Sequence, residues 1–186
     1  MIFNAHSNLI GRHARLSASK YHWINYDEEK MARVFTASLA AERGTQLHAF
    51  AHDAIRLGVK LPDTEKTLDR YVNDAIGWRM TPEQPLYYSD NVFGTPDAIG
   101  FRNNVLRIND LKTGSTPSSI HQLEVYAALF CHEYVFRPSE IEIELRIYQN
   151  DEVMLFIADP LEITRIMDKI IVFDKRINEM RLEAMS

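Results

Sequence analysis

The segment Val105–Lys112 carries charged side chains on the apolar face of a predicted strand. Alternate residues of a strand share one face, and here they are Leu106, Ile108, Asp110 and Lys112. The two aliphatic side chains anchor that face in a core, so that an acid and a base emerge together at the end of the strand. A carboxylate and an ammonium that face a core are unfavourable unless they are paired or bind a metal ion.

A predicted hairpin brings a second acid to the same place. Asn103-Asn104 favours a tight turn because asparagine tolerates positive φ, and a hairpin centred there pairs residues whose numbers sum to about 207. Asp97, on the preceding strand, then lies opposite Asp110. Two carboxylates at such a short distance repel each other unless a cation lies between them. A hard divalent ion suits their oxygen atoms as ligands. The simpler alternative is an ion pair of Asp110 with Lys112, with Asp97 as a turn residue.

The remaining sequence predicts helices around short strands. From the spacing of apolar residues and from capping and breaking residues, we expect helices at Lys20–Ile24, Met31–Leu57, Lys66–Trp78, Ser118–Tyr134 and from Pro160 onward. Strands are expected at Gln84–Tyr88, Val92–Phe101, Val105–Leu111, Glu140–Gln149 and Glu152–Ala158. This order predicts an α/β (α+β) fold with a mixed, mostly antiparallel central sheet flanked by helices, after an N-terminal helical part over residues 1–80.

The long helix at Met31–Leu57 has one predicted apolar stripe. Its members are Leu39, Leu47, Phe50, Ala51, Ala54 and Ile55. Gly44 interrupts this helix and is expected to destabilise it by roughly 1 kcal/mol relative to alanine.

Composition excludes several classes of protein. The 186 residues carry a net charge of −5, and Cys131 is the single cysteine. One thiol permits no internal disulfide, no four-cysteine zinc site and no iron–sulfur cluster held by this chain alone. The longest apolar run, Val125–Cys131, has seven residues and is too short to cross a bilayer. The first ten residues lack a signal-peptide pattern, so we expect a cytoplasmic protein of bacterial or phage type without a membrane partner.

Further polar residues lie near the two acids in sequence. Thr113 and Gly114 directly follow the strand, where the backbone can approach a phosphate. Gln122 and Tyr126 are four residues apart on a predicted helix and therefore share a face. The alternative for this pair is a surface amide beside a packed aromatic ring. His48 lies in the long helix, where a lone histidine is more often a core residue than a ligand.

The N-terminal stretch is basic and aromatic. Residues 1–26 hold three arginine or lysine residues and no acid. Lys20 and Tyr21, with the rings that follow, can bind a phosphate and stack the bases of a single strand. The alternative is a solvated segment in which one or two rings pack against the sheet.

Four short motifs follow one another along the chain. They are G-x-x-x-H at Gly44–His48, G-x-x-D at Gly94–Asp97, D-x-K-T-G at Asp110–Gly114 and Q-x-x-x-Y at Gln122–Tyr126. Together with Leu16–Ser19, which is similar to an L-S-x-S motif, they resemble the RecB-like (Cas4-like) branch of the PD-(D/E)XK nuclease superfamily over residues 16–134. Many of those nucleases bind an iron–sulfur cluster through four cysteines, so the resemblance is to the cluster-free members.

The resemblance implies one nuclease domain over residues 1–186, with a restriction-endonuclease-like core at 81–186. It implies that His48, Asp97, Asp110 and the backbone carbonyl of Leu111 bind Mg²⁺ or Mn²⁺. Lys112 would orient or deprotonate the attacking water and stabilise the pentavalent phosphorus.

The implied roles extend to three more residues. Gln122 and Tyr126 would position the lysine, the scissile phosphate or a nearby base, and Thr113 would donate a hydrogen bond to a phosphate. The implied activity is that of a metal-dependent exonuclease acting on DNA ends or single strands, in recombination, repair or phage DNA processing. A second copy of the chain or a recombination protein is the expected protein partner.

Two alternatives to an exonuclease stay open. The first is a structure- or sequence-specific endonuclease on the same core, which would cut closed circular DNA. The second is a catalytically silent module that binds nucleic acid or a partner protein, which would bind DNA without turnover under any metal.

Overall fold

The computed structural model describes residues 4–114, 116 and 118–185, the last without its side chain. Ser115 and Pro117, in the predicted loop after Lys112, lie outside the described residues, as do the first three residues of the segment tested for a signal peptide. The chain divides into two compact units between Arg43 and Gly44. Within the described ranges, none of the helices combines the length and the apolar character needed to span a membrane.

The first unit contains two 3-10 helices, Ser7–Leu9 and Ala18–Asn25, and the start of a long helix. This helix, α1, spans Glu28–Leu57 and continues into the second unit. Asp27 caps it, because its Oδ1 accepts a hydrogen bond from the backbone N–H of Lys30 at 2.7 Å. Arg15 contacts α1 through hydrogen bonds to Ser38 Oγ at 2.9 Å and Glu42 Oε2 at 3.1 Å.

The helix expected at Lys20–Ile24 is part of the second 3-10 helix and is kinked at Lys20, where φ is −110° and ψ is 45°. Ser17 precedes this helix but makes no side-chain cap. Its hydroxyl lies 2.7 Å from the hydroxyl of Ser19 and not at a backbone N–H of the first turn.

The second unit contains the end of α1, three further helices and all the strands of the described chain. After α1 come α2 (Thr67–Gly77), α3 (His121–Glu133), a 3-10 helix (Pro138–Glu140) and α4 (Pro160–Met185). The strands are β1 (Thr81–Pro82), β2 (Leu86–Ser89), β3 (Val92–Gly94), β4 (Ala98–Arg102), β5 (Val105–Leu111), β6 (Glu142–Gln149) and β7 (Glu152–Ile157). Five of them form a mixed sheet in the order β1-β4-β5-β6-β7, and β2 pairs with β3. The mixed α/β class with a central sheet and helices is thereby confirmed.

Two tight hairpins organise the sheet as the sequence predicts. Asn103 and Asn104 have φ values of 52° and 61° and connect β4 to β5. The register pairs Arg102 with Val105 and Ala98 with Asn109, which confirms the predicted sum. Asn150 and Asp151 make the equivalent turn between β6 and β7, with φ values of 53° and 62°. Asparagine and aspartate suit such turns because they tolerate left-handed backbone conformations.

The single strand expected at Val92–Phe101 is wrong. The structure has two strands there, β3 and β4, and they belong to different sheets. Asp97 is a bend residue directly before β4 rather than a strand residue. Pro96 explains the interruption, since proline has no N–H to donate to a ladder. Asp97 nevertheless lies one position before the pair Ala98–Asn109, so it still comes next to Asp110.

The sheet lies between two apolar clusters. β5 and β6 are parallel, and α3 provides the helical crossover that parallel strands require. One cluster joins Leu106, Ile108, Ile143, Leu145 and Ile147 of the sheet to α3 and α4. The other joins Leu111 and Tyr148 to α2 and to Ala51, Ala54 and Ile55 of α1. The predicted stripe of α1 is therefore confirmed at these three positions and wrong at Leu39 and Phe50, which are exposed.

Candidate active site at the end of β5

At the end of β5, the buried side chain of Asp110 forms an ion pair with the partly exposed side chain of Lys112. Lys112 Nζ lies 3.0 Å from both carboxylate oxygens of Asp110. The backbone N–H of Lys112 donates to the carbonyl of Tyr148 at 2.9 Å, which extends the parallel ladder one residue beyond β5. Lys112 therefore keeps the strand alternation and projects on the same side as Asp110. The side chain of Asp110 is 4% exposed and that of Lys112 is 30% exposed, so the lysine is accessible from solvent.

Asp97 connects this strand end to α1. Its Oδ2 accepts a hydrogen bond from the backbone N–H of Leu111 at 2.8 Å, and its Oδ1 lies 3.5 Å from Nδ1 of His48. One carboxylate thus contacts both β5 and the helix. The bend before β4, the end of β5 and the second half of α1 converge at this point.

The charges of these groups are coupled. The pKa of His48 is raised, first by its hydrogen bond with Asp97 and further by the negative charges of Asp97 and Asp110, against the opposing effect of burial. The pKa of Asp110 is also raised, first by burial and then by the charge of Asp97, while Lys112 lowers it. The two carboxylates therefore repel each other, and the imidazole and the ammonium offset that repulsion.

Helix α3 adds the polar pair that the i, i+4 spacing predicts. Lys112 Nζ donates to Gln122 Oε1 at 3.2 Å, and Gln122 Nε2 donates to the hydroxyl of Tyr126 at 2.9 Å. Both residues lie on one face of α3, and Gln122 reaches the same ammonium that contacts Asp110. A continuous chain of polar contacts therefore runs from β5 to α3.

Two glycines of the motifs let these elements approach each other. A Cβ atom on Gly44 of α1 would lie 2.7 Å from Thr113 Oγ1, and one on Gly94 would lie 2.8 Å from Tyr126 Cε1. Real Cβ atoms almost never approach another heavy atom so closely. The sequence interpretation treated Gly44 as an interruption of a helix and missed this contact. The place of both glycines within the motifs was the only signal that could have indicated it.

Sequence reasoning also missed two buried residues beside the site. Tyr71 of α2 is 2% exposed. Its pKa is raised well above the usual value, first by burial and then by the charges of Asp97 and Asp110. Gln149, the last residue of β6, donates to the backbone carbonyls of Gly114 and Thr116. Tyr71 has the spacing of an ordinary core residue and Gln149 belongs to no motif, so neither carried a signal.

Lys20 and Tyr21, the predicted nucleic-acid contacts of the N-terminal stretch, belong to the first unit. The side chain of Tyr21 is exposed, and its ring centroid lies 4.7 Å from that of His22. This places an accessible aromatic pair beside Lys20. A contact of these residues with DNA stays a prediction.

The donor set has the chemistry of a divalent-cation site. Asp110 Oδ2 is buried and, among the described residues, accepts no hydrogen bond in spite of its proximity to Lys112. The two carboxylates suit Mg²⁺ or Mn²⁺, whereas an imidazole is more usual as a ligand of softer transition metals. In the part of the chain that the structure describes, no three histidine, cysteine or acidic side chains already form a metal-holding group. His48 Nδ1 lies instead 3.5 Å from Asp97 Oδ1, and Lys112 Nζ lies 3.0 Å from the Asp110 carboxylate.

Comparisons with known proteins give no relative: no family model, no curated protein and no solved structure matches this chain.

Proposed function

We propose that this chain is a metal-dependent nuclease that hydrolyses phosphodiester bonds of DNA, with a RecB-like PD-(D/E)XK active site on a restriction-endonuclease-like core. The supporting observation is the continuous set of contacts that joins all four motifs. Gly44 and Gly94 abut Thr113 and Tyr126, and Lys112 bridges Asp110 and Gln122. These residues come from α1, the bend before β4, β5 and α3, and they meet at the end of β5.

His48, Asp97 and Asp110 would hold the cation, together with the backbone carbonyl of Leu111. A bound Mg²⁺ or Mn²⁺ lowers the pKa of a water molecule and neutralises charge that develops on a phosphate. Oδ2 of Asp110 is buried and accepts no hydrogen bond, and its close partner is the ammonium of Lys112 at 3.0 Å. A bound cation would add a ligand bond at this oxygen to the compensation that the lysine charge already provides.

In this proposal Lys112 exchanges a proton with the attacking water and stabilises the negative charge of the phosphate. Its Nζ is held by Asp110 on one side and Gln122 on the other, and it remains accessible to solvent. A lysine confined in this way can orient a water molecule, exchange a proton at Nζ and donate to a phosphate oxygen. Gln122 and Tyr126 fix its position from α3.

The test uses purified protein with linear single-stranded, linear double-stranded and closed circular DNA, in Mg²⁺, in Mn²⁺ and in EDTA. We expect cleavage of linear DNA that depends on the metal. Lys112→Met is expected to lower the rate by about 10²- to 10⁴-fold, the usual contribution of a positioned acid or base. Asp110→Asn is expected to lower it strongly as well, because it removes a charged ligand of the cation. Lys175→Met is the matched control, because Lys175 is an exposed lysine of α4 that pairs only loosely with Glu179 at 3.9 Å.

Three outcomes have distinct meanings. Cleavage in EDTA, or full activity of Asp110→Asn and Lys112→Met, would overturn the proposal. Cleavage of closed circles would replace the exonuclease by an endonuclease on the same core. DNA binding without turnover in any metal would favour the silent binding module.

Metal binding has its own readout without DNA. Mn²⁺ at a hundred times its dissociation constant stabilises a folded protein by about 2.7 kcal/mol when it binds only that state. We expect Mn²⁺ to raise the unfolding temperature of the wild type and of Lys175→Met. The increase should be lost in Asp110→Asn, in which the buried carboxylate oxygen is absent.

A further inference from the structure

The main chain that follows Lys112 is held from the sheet side by one buried amide. Gln149 is 4% exposed. Its Nε2 donates to the carbonyl of Gly114 at 2.6 Å and to the carbonyl of Thr116 at 2.8 Å. Both N–H groups of the Gln149 side chain are thus directed at the segment that follows Lys112, the proposed catalytic lysine.

The opposite side of this segment is open. Thr113, Gly114 and Thr116 are exposed, and nothing lies within 4 Å of the position that a Cβ atom on Gly114 would occupy. Gly114 and Thr116 are therefore exposed to solvent while Gln149 holds their carbonyl groups. The hydroxyl of Thr113 lies against Gly44, which fixes the first residue of the segment as well.

We infer that Gln149 is a positioning residue for a polynucleotide substrate: it fixes the carbonyl groups of Gly114 and Thr116 so that these two residues support the phosphodiester backbone next to the scissile phosphate. This inference rests on the proposed function. A scissile phosphate needs Lys112 and the carboxylates, whereas the neighbouring nucleotides of a polymer extend beyond them onto the exposed segment. Loss of the amide therefore weakens the binding of the strand, and the reacting groups stay in place.

The site offers a nearly isosteric test. Gln149→Met fills a similar volume without donors, and Gln149→Glu places a carboxylate against two carbonyl oxygens. We expect either variant to raise KM for a dT oligonucleotide of about 20 nucleotides by roughly tenfold, with kcat within about threefold of the wild type. The dissociation constant of the same oligonucleotide, measured by fluorescence anisotropy with Ca²⁺ in place of Mg²⁺, is expected to rise by the same factor.

Asn73→Leu is the matched control for a purely structural role. Asn73 Nδ2 also donates to two loop carbonyls, those of Leu61 and Pro62, at 3.0 Å and 3.4 Å. This variant is expected to lower the unfolding temperature and leave KM unchanged. All assays are run well below the unfolding temperature of each variant, and Gln149→Met is the deciding variant if Gln149→Glu does not fold.

The outcomes separate this inference from the proposed function. Unchanged KM in a folded Gln149→Met, a loss confined to kcat, or an equal rise of KM in Asn73→Leu would overturn the positioning role while the wild type still cuts DNA. A wild type that cuts no DNA in either metal would overturn the proposed function, and the role of Gln149 with it.

Discussion

Thr113 Oγ1 lies 2.7 Å from the place where a side chain on Gly44 would begin. Gly44 belongs to α1, and Thr113 is the residue after Lys112. The absence of a side chain at position 44 therefore lets the segment after β5 lie against the helix that carries His48. One buried glycine sets the distance between two of the four motifs.

Gly44→Ala is expected to separate helix stability from activity. Alanine stabilises a helix interior by roughly 1 kcal/mol relative to glycine, but its methyl group here displaces the Thr113 hydroxyl. We expect a fall in DNA cleavage of tenfold or more, because Lys112 is the next residue along the chain. The measurement is the cleavage rate together with the unfolding temperature.

The double variant Gly44→Ala/Thr113→Ala tests the physical reason. The alanine at position 113 lacks the oxygen at 2.7 Å, and its Cβ atom at 3.8 Å from the new methyl group is an ordinary contact. We expect the double variant to unfold at a higher temperature than Gly44→Ala and to cleave DNA at the rate of Thr113→Ala, which separately measures the loss of the predicted phosphate contact of Thr113. A Gly44→Ala protein with wild-type activity would show that this approach does not matter.

The strand end at Asp110 and Lys112 was predictable because it depends on local rules. Strand alternation put both side chains on one face, and two asparagines with positive φ fixed the hairpin register. The i, i+4 spacing put Gln122 and Tyr126 on one face of α3. Each of these rules involves only nearby residues, so no knowledge of the tertiary structure was needed.

The roles of Gly44 and Gln149 could not be predicted for the opposite reason. Gly44 leaves room for the hydroxyl of Thr113, which lies 69 positions further along the chain. Gln149 contacts Gly114 across a parallel strand pair. Parallel pairing has no local signature, because the crossover helix separates the partners in sequence. The strand predicted over Val92–Phe101 was wrong because its β-branched and aromatic residues are interrupted by Pro96, which has no N–H to donate to a ladder.

Tyr126→Phe is expected to lower kcat while the fold is kept. The variant removes the hydroxyl that accepts from Gln122 Nε2 at 2.9 Å, and it retains the ring that packs against Gly94. Gln122 then holds Lys112 less firmly, and one lost hydrogen bond corresponds to a rate decrease of roughly three- to tenfold. Steady-state cleavage of linear DNA measures it.

Tyr134→Phe supplies the comparison, since Tyr134 directly follows α3 and is exposed. It should cleave DNA at the wild-type rate. Equal rates for both tyrosine variants would remove Tyr126 from the positioning of Lys112.

Cys131 is expected to be unreactive in the folded protein. Its side chain is 1% exposed, and burial raises the pKa of its thiol to about 11. Thiolate is the reactive form, so both accessibility and ionisation are low near pH 8. We expect no reaction with a thiol-specific disulfide reagent in buffer and one thiol per chain in concentrated guanidinium chloride, since the sequence has a single cysteine. Rapid reaction of the folded protein would show that α3 opens locally.

Asp151, in the turn between β6 and β7, is expected to make the free energy of unfolding depend on pH in the acidic range. Its carboxylate accepts from Lys66 Nζ at 2.7 Å and from the backbone N–H of Thr67 at 2.9 Å, so it caps α2 from a different element. These hydrogen bonds lower the pKa of Asp151 from 3.8 to about 2. Because the folded-state pKa is the lower one, the contribution to stability is fully present above about pH 4 and is lost as the pH falls through 2.

Asp151→Asn removes the charge and keeps a residue that tolerates the φ of 62° at this turn. We expect the variant to unfold at a lower urea concentration than the wild type at pH 7, and the difference between the two proteins to shrink between pH 4 and pH 2. Asp63→Asn, which changes an exposed acid of the loop between α1 and α2, should follow the wild type at every pH. A difference between Asp151→Asn and the wild type that stays constant down to pH 2 would mean that the cap acts through shape and hydrogen-bond geometry rather than through the carboxylate charge.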